Sequence, residues 1–396
     1  MRGVCPTFAP MPIRPRLTAF LLALLSSLAG CQSQNAAALL IDRSGTQADF
    51  GIAASAGAQL ATARGDLQAS ENPAGSGIAM LEIDCGSSGA QAQAAAQGVA
   101  SQAFCGIGFS DSDEALAAVP VFVKAGKPFM VIGATDPTLP SRCGKGVYLA
   151  CFGDDAQAAA AAIFAAKNFG KRCALVTDSA YDYTRGLTRY FRNAFQREGG
   201  SVVLQMDRRT PDAAKEIAAL KARADAFDFV YLASEPDDLS ALLGRLREAL
   251  PGKPIIGGDG LDCAAVATSG TAPSDRVFFT THAWFGEGAS PEAKAFAEAY
   301  TQAYGTPPGN AFAALGYDAV MLVQVAAKRA GGVQNPDPAR LAKAIGEIRN
   351  WRGVTGEFNF TDGPVPRKSV WILEVSKGQR RLASRMPAPP PMPVRD

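Results

Sequence analysis

The chain has 396 residues, 47% of them apolar and 19% charged, with a formal net charge of +2. That composition excludes a disordered chain, and the length is enough for two or three domains with cores of their own. Near-neutral charge excludes nucleic acid as the main partner, because phosphate binding needs a clustered Lys/Arg excess, and a single histidine, His282, excludes metal sites built from histidines.

Arg14 and Arg16 precede an apolar run, Leu17 to Leu25, and then small residues up to Cys31. A basic start, a short apolar core and small residues before a cut site are the pattern of a secretory signal. The run is short for a transmembrane helix, which needs ~20 apolar residues. Leu28-Ala29-Gly30-Cys31 resembles the bacterial lipobox, and that resemblance implies cleavage before Cys31 and lipidation of its thiol. The alternative is a plain signal with an incidental cysteine. Met11 opens a signal of more usual length than Met1 and is an alternative start. Residues 1–30 are therefore expected to be removed and 31–36 to form a tether. Their loss removes Arg2, Arg14 and Arg16 and no acid, leaving a net charge of −1 on a body expected to be held at the membrane by its N-terminus.

One rhythm then repeats. Ala37–Ile41 is a short apolar strand, Ile52–Ala63 a helix, Ile78–Ile83 a strand, Ala90–Ala103 a helix and Phe104–Ile107 a strand. Helix Glu114–Ala125 and the buried strand Pro128–Ile132 close the first cycle. The second cycle has helices Ala156–Phe169, Arg185–Glu198, Ala213–Ala224 and Asp238–Leu250. Between them lie strands Cys173–Thr177, Val202–Gln205, Phe229–Leu232 and Pro254–Ile256. Helices Pro291–Tyr304, Phe312–Ala330 and Ala339–Ile348 follow, then strands Gly356–Phe360 and Ser369–Val375, read as a return to both lobes. From Met386 on, the proline-rich tail (386–396) can be neither helix nor sheet and is expected to be extended and mobile.

Short, fully apolar strands alternating with amphipathic helices mean parallel sheets covered on both faces. The predicted fold is α/β, with two doubly wound parallel-sheet lobes and a ligand cleft between them. Lobe 1 is expected over 37–153 and 284–354, lobe 2 over 154–283 and 355–385. Open α/β sheets bind ligands at the carboxyl ends of their strands. The candidate loops are thus Asp42–Gly51, Gly108–Asp113, Gly133–Pro137, Asp178–Tyr183, Ala233–Pro236 and Gly257–Gly260.

These stretches, in this order, resemble a known family. Ser44-Gly45, Phe50-Gly51 and Gly57-Ala58 match, as do Gly133-Ala134-Thr135-Asp136-Pro137, Tyr183-Thr184-Arg185-Gly186-Leu187 and Gly257-Gly258-Asp259-Gly260. Gly316-Tyr317-Asp318-Ala319 and Gly353-Val354-Thr355-Gly356-Glu357-Phe358-Asn359-Phe360 complete the set. The family is that of the periplasmic binding proteins of type I, in the leucine/isoleucine/valine (branched-chain amino acid)-binding group that serves ABC importers. The resemblance runs from about residue 38 to 377. It implies that Ser110 or Ser112, then Gly133 and Thr135, hold a ligand carboxylate, and that Tyr183 and Asp259 meet its ammonium side. It also implies that Phe50 and Phe312 shape the side-chain pocket. The chain departs from the family at Ser110-Asp111-Ser112-Asp113-Glu114, whose acids either cap a helix, with Ser110 as the cap and Asp113 at its third position, or face the ligand; capping is favoured. The family's Gly-Gly turn after the first helix is replaced by a looser stretch at Gly65–Gly77, and Glu235 stands where an uncharged residue is usual, which favours a ligand with positive charge if it joins Asp259.

Beyond Cys31, six cysteines lie in the body, and an even number outside the cytoplasm permits disulfides. Cys143 and Cys151 bracket a turn, and Cys85 and Cys105 adjoin strands of one sheet, so these two pairs are expected; Cys173 lies in an apolar strand and reads as a core thiol. No dinucleotide, P-loop, HExxH or GxSxG pattern occurs, so no cofactor, metal or enzymatic reaction is expected. His282 reads as a polar hinge residue, Lys171-Arg172 and Arg208-Arg209 as solvated charge pairs, and Phe191 with Phe195 as core. The expectation is a monomeric, lipid-anchored solute-binding protein facing the periplasm of a bacterial cell envelope. It would pass a small ligand, such as an amino acid, to an ABC permease. The alternative is a lipid-anchored sensor or regulator with the same fold.

Overall fold

Strand β1, Ala36–Ile41, is apolar along its length and buried from Ala37 on. A strand with no solvent face must be covered on both sides. The computed structural model, which describes residues 36–64, 77–267 and 275–390, places β1 inside a five-stranded, wholly parallel sheet. The sheet is wound from α1 (Ala48–Arg64), β2 (Ala79–Asp84), α2 (Gly89–Val99), β3 (Ala103–Gly108), α3 (Ser112–Lys124), β4 (Phe129–Val131), α4 (Leu139–Cys143) and β5 (Val147–Leu149). Its order is β2-β1-β3-β4-β5, so the winding reverses between β1 and β3. The loops that follow those two strands flank the crevice such a reversal opens.

The second sheet repeats the plan. It is wound from α5 (Asp154–Asn168), β6 (Arg172–Thr177), α6 (Asp182–Arg197), β7 (Ser201–Asp207), α7 (Ala213–Ala222), β8 (Phe229–Ala233), α8 (Leu239–Ala249), β9 (Ile255–Gly257), α9 (Ala264–Ala267) and β10 (Val277–Thr281). Then come α10 (Pro291–Tyr304), α11 (Phe312–Arg329), α12 (Pro338–Gly346), a small hairpin of β11 (Trp351–Gly353) and β12 (Gly356–Phe358), and strands β13 (Val370–Ser376) and β14 (Gln379–Met386). The order β14-β13-β10-β9-β8-β6-β7 reverses between β6 and β8. Strands β13 and β14 join antiparallel at the edge.

Helix α11 returns to the first lobe and lies against α1. Cβ atoms at Gly57 and Gly316 would stand 1.7 Å from the Ala313 carbonyl oxygen and 2.0 Å from that of Ala54. Only glycine permits that approach. The buried Asp318 on α11 then accepts hydrogen bonds from the Val354 and Thr355 amides and the Thr355 hydroxyl, which fixes the β11–β12 turn. Two of the sequence motifs thus meet at one contact.

Several expectations need correction. Strand β12 pairs with β11 and does not rejoin the sheet of the first lobe. The short α4, β5 and β11 and the charged edge strand β14 have no counterpart among the expected elements. Met386 is the last residue of β14, paired with Val370, so the expected tail begins inside a strand and is held against the protein as far as Pro389. Pro389 is buried and its carbonyl accepts a hydrogen bond from Arg367. All six described cysteines are free thiols. Strand β1 lies between Cys85, beyond the end of β2, and Cys105 on β3. Two strand spacings come to ~9.6 Å, outside the reach of a disulfide. Cys143 ends α4 before β5 begins and Cys151 follows β5, so that strand holds the second pair apart. Cys173 is a core thiol as expected. Residues 1–35, with the signal, Cys31 and nearly all of the tether, lie outside the described residues, as do 65–76 and the tail from 391.

Candidate functional site

The loops at the strand ends of the two lobes meet and hydrogen-bond to each other. Gln47, after β1, donates its side-chain amide to Glu235, after β8, at 2.9 Å. The Asp182 amide on α6 donates to Asp113 Oδ2 on α3 at 2.9 Å, and the Ala264 amide donates to Asp49 Oδ2 on α1 at 2.6 Å. Arg142 pairs with Asp182 at 3.2 Å. The lobes are closed on one another.

One polar group is centred on Asp259, which follows β9. Its Oδ1 accepts from the Tyr183 hydroxyl at 2.8 Å and from Gln157 Nε2 at 2.7 Å. His282 Nε2, at the end of β10, stands 2.9 Å from Oδ2. A carboxylate opposite Nε2 places the ring proton there and leaves Nδ1 an acceptor; Nδ1 is buried and has no partner. Burial lowers the His282 pKa despite the acid beside it, so the ring is neutral. Gln157 also accepts from Thr280 and the Asp259 amide, and donates to Asp154. Thr135, from the first lobe, lies 3.4 Å from the same Gln157 nitrogen. Burial, then the nearby Asp259, pushes the Asp154 carboxyl well above its ordinary value.

Beside this group is an aromatic wall. Phe50 on α1 stacks on Phe312 at the start of α11 with centroids 4.0 Å apart, and His282 stacks on Phe152 at 3.8 Å. Gly133 is the residue over which the Phe312 ring passes: a Cβ there would lie 2.6 Å from it. The Gly133 amide is not free, because it donates to the Phe109 carbonyl at 3.0 Å, as does Ala134 at 3.2 Å.

The third group is acidic. Asp42 follows β1; Asp111 and Glu114 flank the start of α3; Glu235 follows β8, and all four are buried. Asp111, not Ser110, caps α3, accepting from the Glu114 amide at 2.9 Å, so the cap lies one residue later than the sequence suggested. Ser110 is half-buried, while Ser112 is buried with its hydroxyl unpartnered. Burial and the charge of Asp113 raise the Asp111 pKa to about 7. Burial and Asp42 raise that of Glu114 to about 11, and burial raises Glu235 well above its usual range. Asp42 Oδ2 and both Glu114 oxygens receive no donor from elsewhere in the protein; the two carboxyls face each other, a contact that is favourable only with a shared proton.

Sequence reasoning names Tyr183, Asp259, Thr135, Glu235, Phe50 and Phe312, and the structure brings each to this region. It misses Gln157, His282 and Gln47. Gln157 carries a signal, as a lone amide in an alanine run, Ala156 to Ala162, that is fully buried. His282 stands at the end of β10, where the chain leaves the second sheet, and is also part of the Asp259 group. Arg208-Arg209 is not a solvated pair either: the Arg208 side chain is 5% exposed, and both guanidiniums pair with the buried Asp178. Lys171-Arg172 fits the expectation better, with Arg172 half exposed and paired to Asp228.

Residues 36–380 match the family model of the periplasmic binding proteins. The Leu/Ile/Val-binding protein BraC3 of Rhizobium johnstonii is 30% identical over 263 residues, 64% of this chain and 69% of the relative. The crystal structure of a leucine-binding protein, LivK, from Thermotoga maritima superposes with a TM-score of 0.78 at 28% identity, covering 89% of this chain and 98% of the other. The substrate-binding protein LivJ of Streptococcus pneumoniae, solved with isoleucine, shares the fold with a TM-score of 0.76 at 24% identity, covering 90% of this chain and 100% of the other.

Proposed function

We propose, for a chain that belongs to the periplasmic binding protein family and its Leu/Ile/Val-binding group, that it captures an amino acid or a related small molecule between its lobes and delivers it to an ABC permease. The reading includes a mature protein held at the membrane by lipid on Cys31 and facing the periplasm. Lobe 1 would comprise 37–153 and 284–354, and lobe 2 residues 154–283 and 355–385.

The observation that carries this is the Tyr183–Asp259–Gln157–His282 group, buried where the strand ends of both lobes meet. Asp259 has a carboxylate held in place by three side chains, which suits the ammonium of a ligand. Thr135 reaches the same group from the other lobe and supplies a hydroxyl for the ligand's other end. Phe50 and Phe312 supply the apolar wall. The second lobe's charge and the first lobe's hydroxyl are engaged together only when the lobes are shut, so ligand binding and closure are one event.

Calorimetry against a set of L-amino acids tests this. Asp259→Asn removes the charge opposite the ammonium and should weaken binding by ~1.5–3 kcal/mol, or ~10–150-fold. Thr135→Val should weaken binding of the same ligand. An amino acid whose binding ignores both changes would overturn the site, provided that melting curves show both variants folded.

A further inference from the structure

The acids of the cleft have no counter-ions. Asp42, Asp111, Glu114 and Glu235 form no ion pair among the described residues, whereas Asp178 pairs with Arg208 and Arg209, and Asp262 with Arg380. The four come from chosen places. Asp42 and the Asp111–Glu114 turn follow β1 and β3, at the winding reversal of the first sheet. Glu235 follows β8, at the reversal of the second sheet, and Gln47 joins it to the first lobe. Binding crevices of doubly wound sheets lie at these points.

A second observation is independent of the charges. The cleft holds a carbonyl with no donor. Gln47 gives its amide nitrogen to Glu235, and its Oε1, on the same amide and so at the same spot, is buried without a partner. Asp111 Oδ2 is buried without a partner as well. On the other side, the Gly133 amide, expected to receive a carboxylate, is already bonded to Phe109. A buried acceptor without a donor costs ~1–3 kcal/mol, and the Gln47 carbonyl, held against Glu235, is completed by a guest that donates hydrogen bonds. No group of three or more carboxylate, thiol or imidazole side chains among the described residues is placed to hold a metal ion, and a nitrogen cation, which also donates hydrogen bonds, suits carboxylates beside an open carbonyl.

We infer that the ligand carries, besides the group met by Asp259, a second cationic group, an ammonium, amidinium or guanidinium, set against Asp111, Glu114, Glu235 and the Gln47 carbonyl. The inference rests on the reading of the cleft as the ligand site and narrows its ligand to basic amino acids and diamines. In the absence of such a cation, burial and mutual repulsion keep the acids protonated, in line with their raised pKa values.

Three probes separate the possibilities on the unsubstituted protein: L-leucine, L-lysine, and 1,5-diaminopentane, which is lysine without its carboxylate. Calorimetry should show L-lysine or 1,5-diaminopentane binding at least ~10-fold more tightly than L-leucine. Glu235→Gln and Asp111→Asn should each weaken the cationic probe by ~10-fold or more and change L-leucine by less than about twofold. L-Leucine bound as tightly as either cationic probe, or a cationic probe indifferent to both substitutions, would overturn the inference and leave the amino-acid reading standing. If none of the three probes binds, the inference falls, and the amino-acid reading is decided by the wider set of L-amino acids. Melting curves of each variant show whether a loss reflects unfolding, and the probe ranking needs no variant at all.

Discussion

At Asp111, capping and burial act on one carboxyl. Its Oδ1 ends α3 through the Glu114 amide, while its Oδ2 lies buried without a partner. Burial and the acids facing it, Asp113 on its own helix and Asp42 after β1, raise its pKa from 3.8 to about 7. Glu235 lies opposite, and its own pKa is raised by Asp111 after burial. Between those two pH values the folded protein holds a proton that the unfolded chain has released. The stability this group contributes is therefore full below pH ~4 and is lost as pH rises toward 7, by about 1.4 kcal/mol per pH unit. Urea unfolding at pH 5 and pH 7.5, without ligand, should show the protein less stable at the higher pH. Asp111→Asn keeps a good cap and removes one of the titrations, so it should shrink that difference and leave the part owed to Glu114, Glu235 and Asp154; an unchanged difference in the variant would assign it wholly to those groups. Aspartates at turns are visible in the sequence, because Gly-Gly-Asp-Gly and Asp-Ser-Asp-Glu stand out from apolar strands. Their partners are not. The bond between Gln157 and Asp259 joins residues 102 apart, and that between Gln47 and Glu235 residues 188 apart, and no local pattern encodes such pairings.

Secondary elements are legible where their periodicity is strong. The sequence places helix α10 to the residue, and β1, β6 and β8 to within one or two, since an apolar strand five or six residues long between turn residues admits few readings. Three-residue strands such as β5 are too short for any pattern. Strand β14 carries Arg380, Arg381 and Arg385, charges that suit a sheet edge and hide it from a search for apolar runs. Glycine spacing marks a helix contact that the sequence cannot interpret. Gly57 allows α1 to reach the backbone of α11, where a Cβ would meet the Ala313 oxygen at 1.7 Å. Gly57→Ala must push the helices apart and should cost ~1–3 kcal/mol or more. Gly98 on α2 has nothing within 4 Å of a Cβ, so Gly98→Ala should gain ~0.5–1 kcal/mol through helix propensity alone. Melting temperatures moving in opposite directions would establish the contact, and a neutral Gly57→Ala would refute it.

For the whole molecule, closure has a balance of its own, apart from ligand contacts. The described cross-lobe bonds at the rim, Asp182 to Asp113 and Ala264 to Asp49, are made by backbone amides and carboxylates that the site proposals leave aside. The chain crosses between lobes near Ala150, after β10 and after β12, and Lys368 ties the first crossing to the third by donating to the Ala150 carbonyl and the Thr355 hydroxyl. On the proposed reading the crossings would serve as a hinge with fixed ends, and the rim bonds would set how often it is shut. A ligand that binds only the shut form has an apparent Kd equal to its intrinsic Kd divided by the shut fraction. Replacing Asp49 and Asp113 by alanine removes two bonds to backbone amides, each contributing ~1.5–3 kcal/mol to the shut form if fully desolvated and less at an exposed rim. The double variant should therefore scatter X-rays with a larger radius of gyration when free. Its affinity for L-leucine should fall by ~10-fold or more, although no group that touches that ligand has changed. Saturating ligand should return it to the radius of the bound parent protein. A radius that stays the same in the free variant, or an unchanged affinity for L-leucine, would show that these carboxylates do not set the closure.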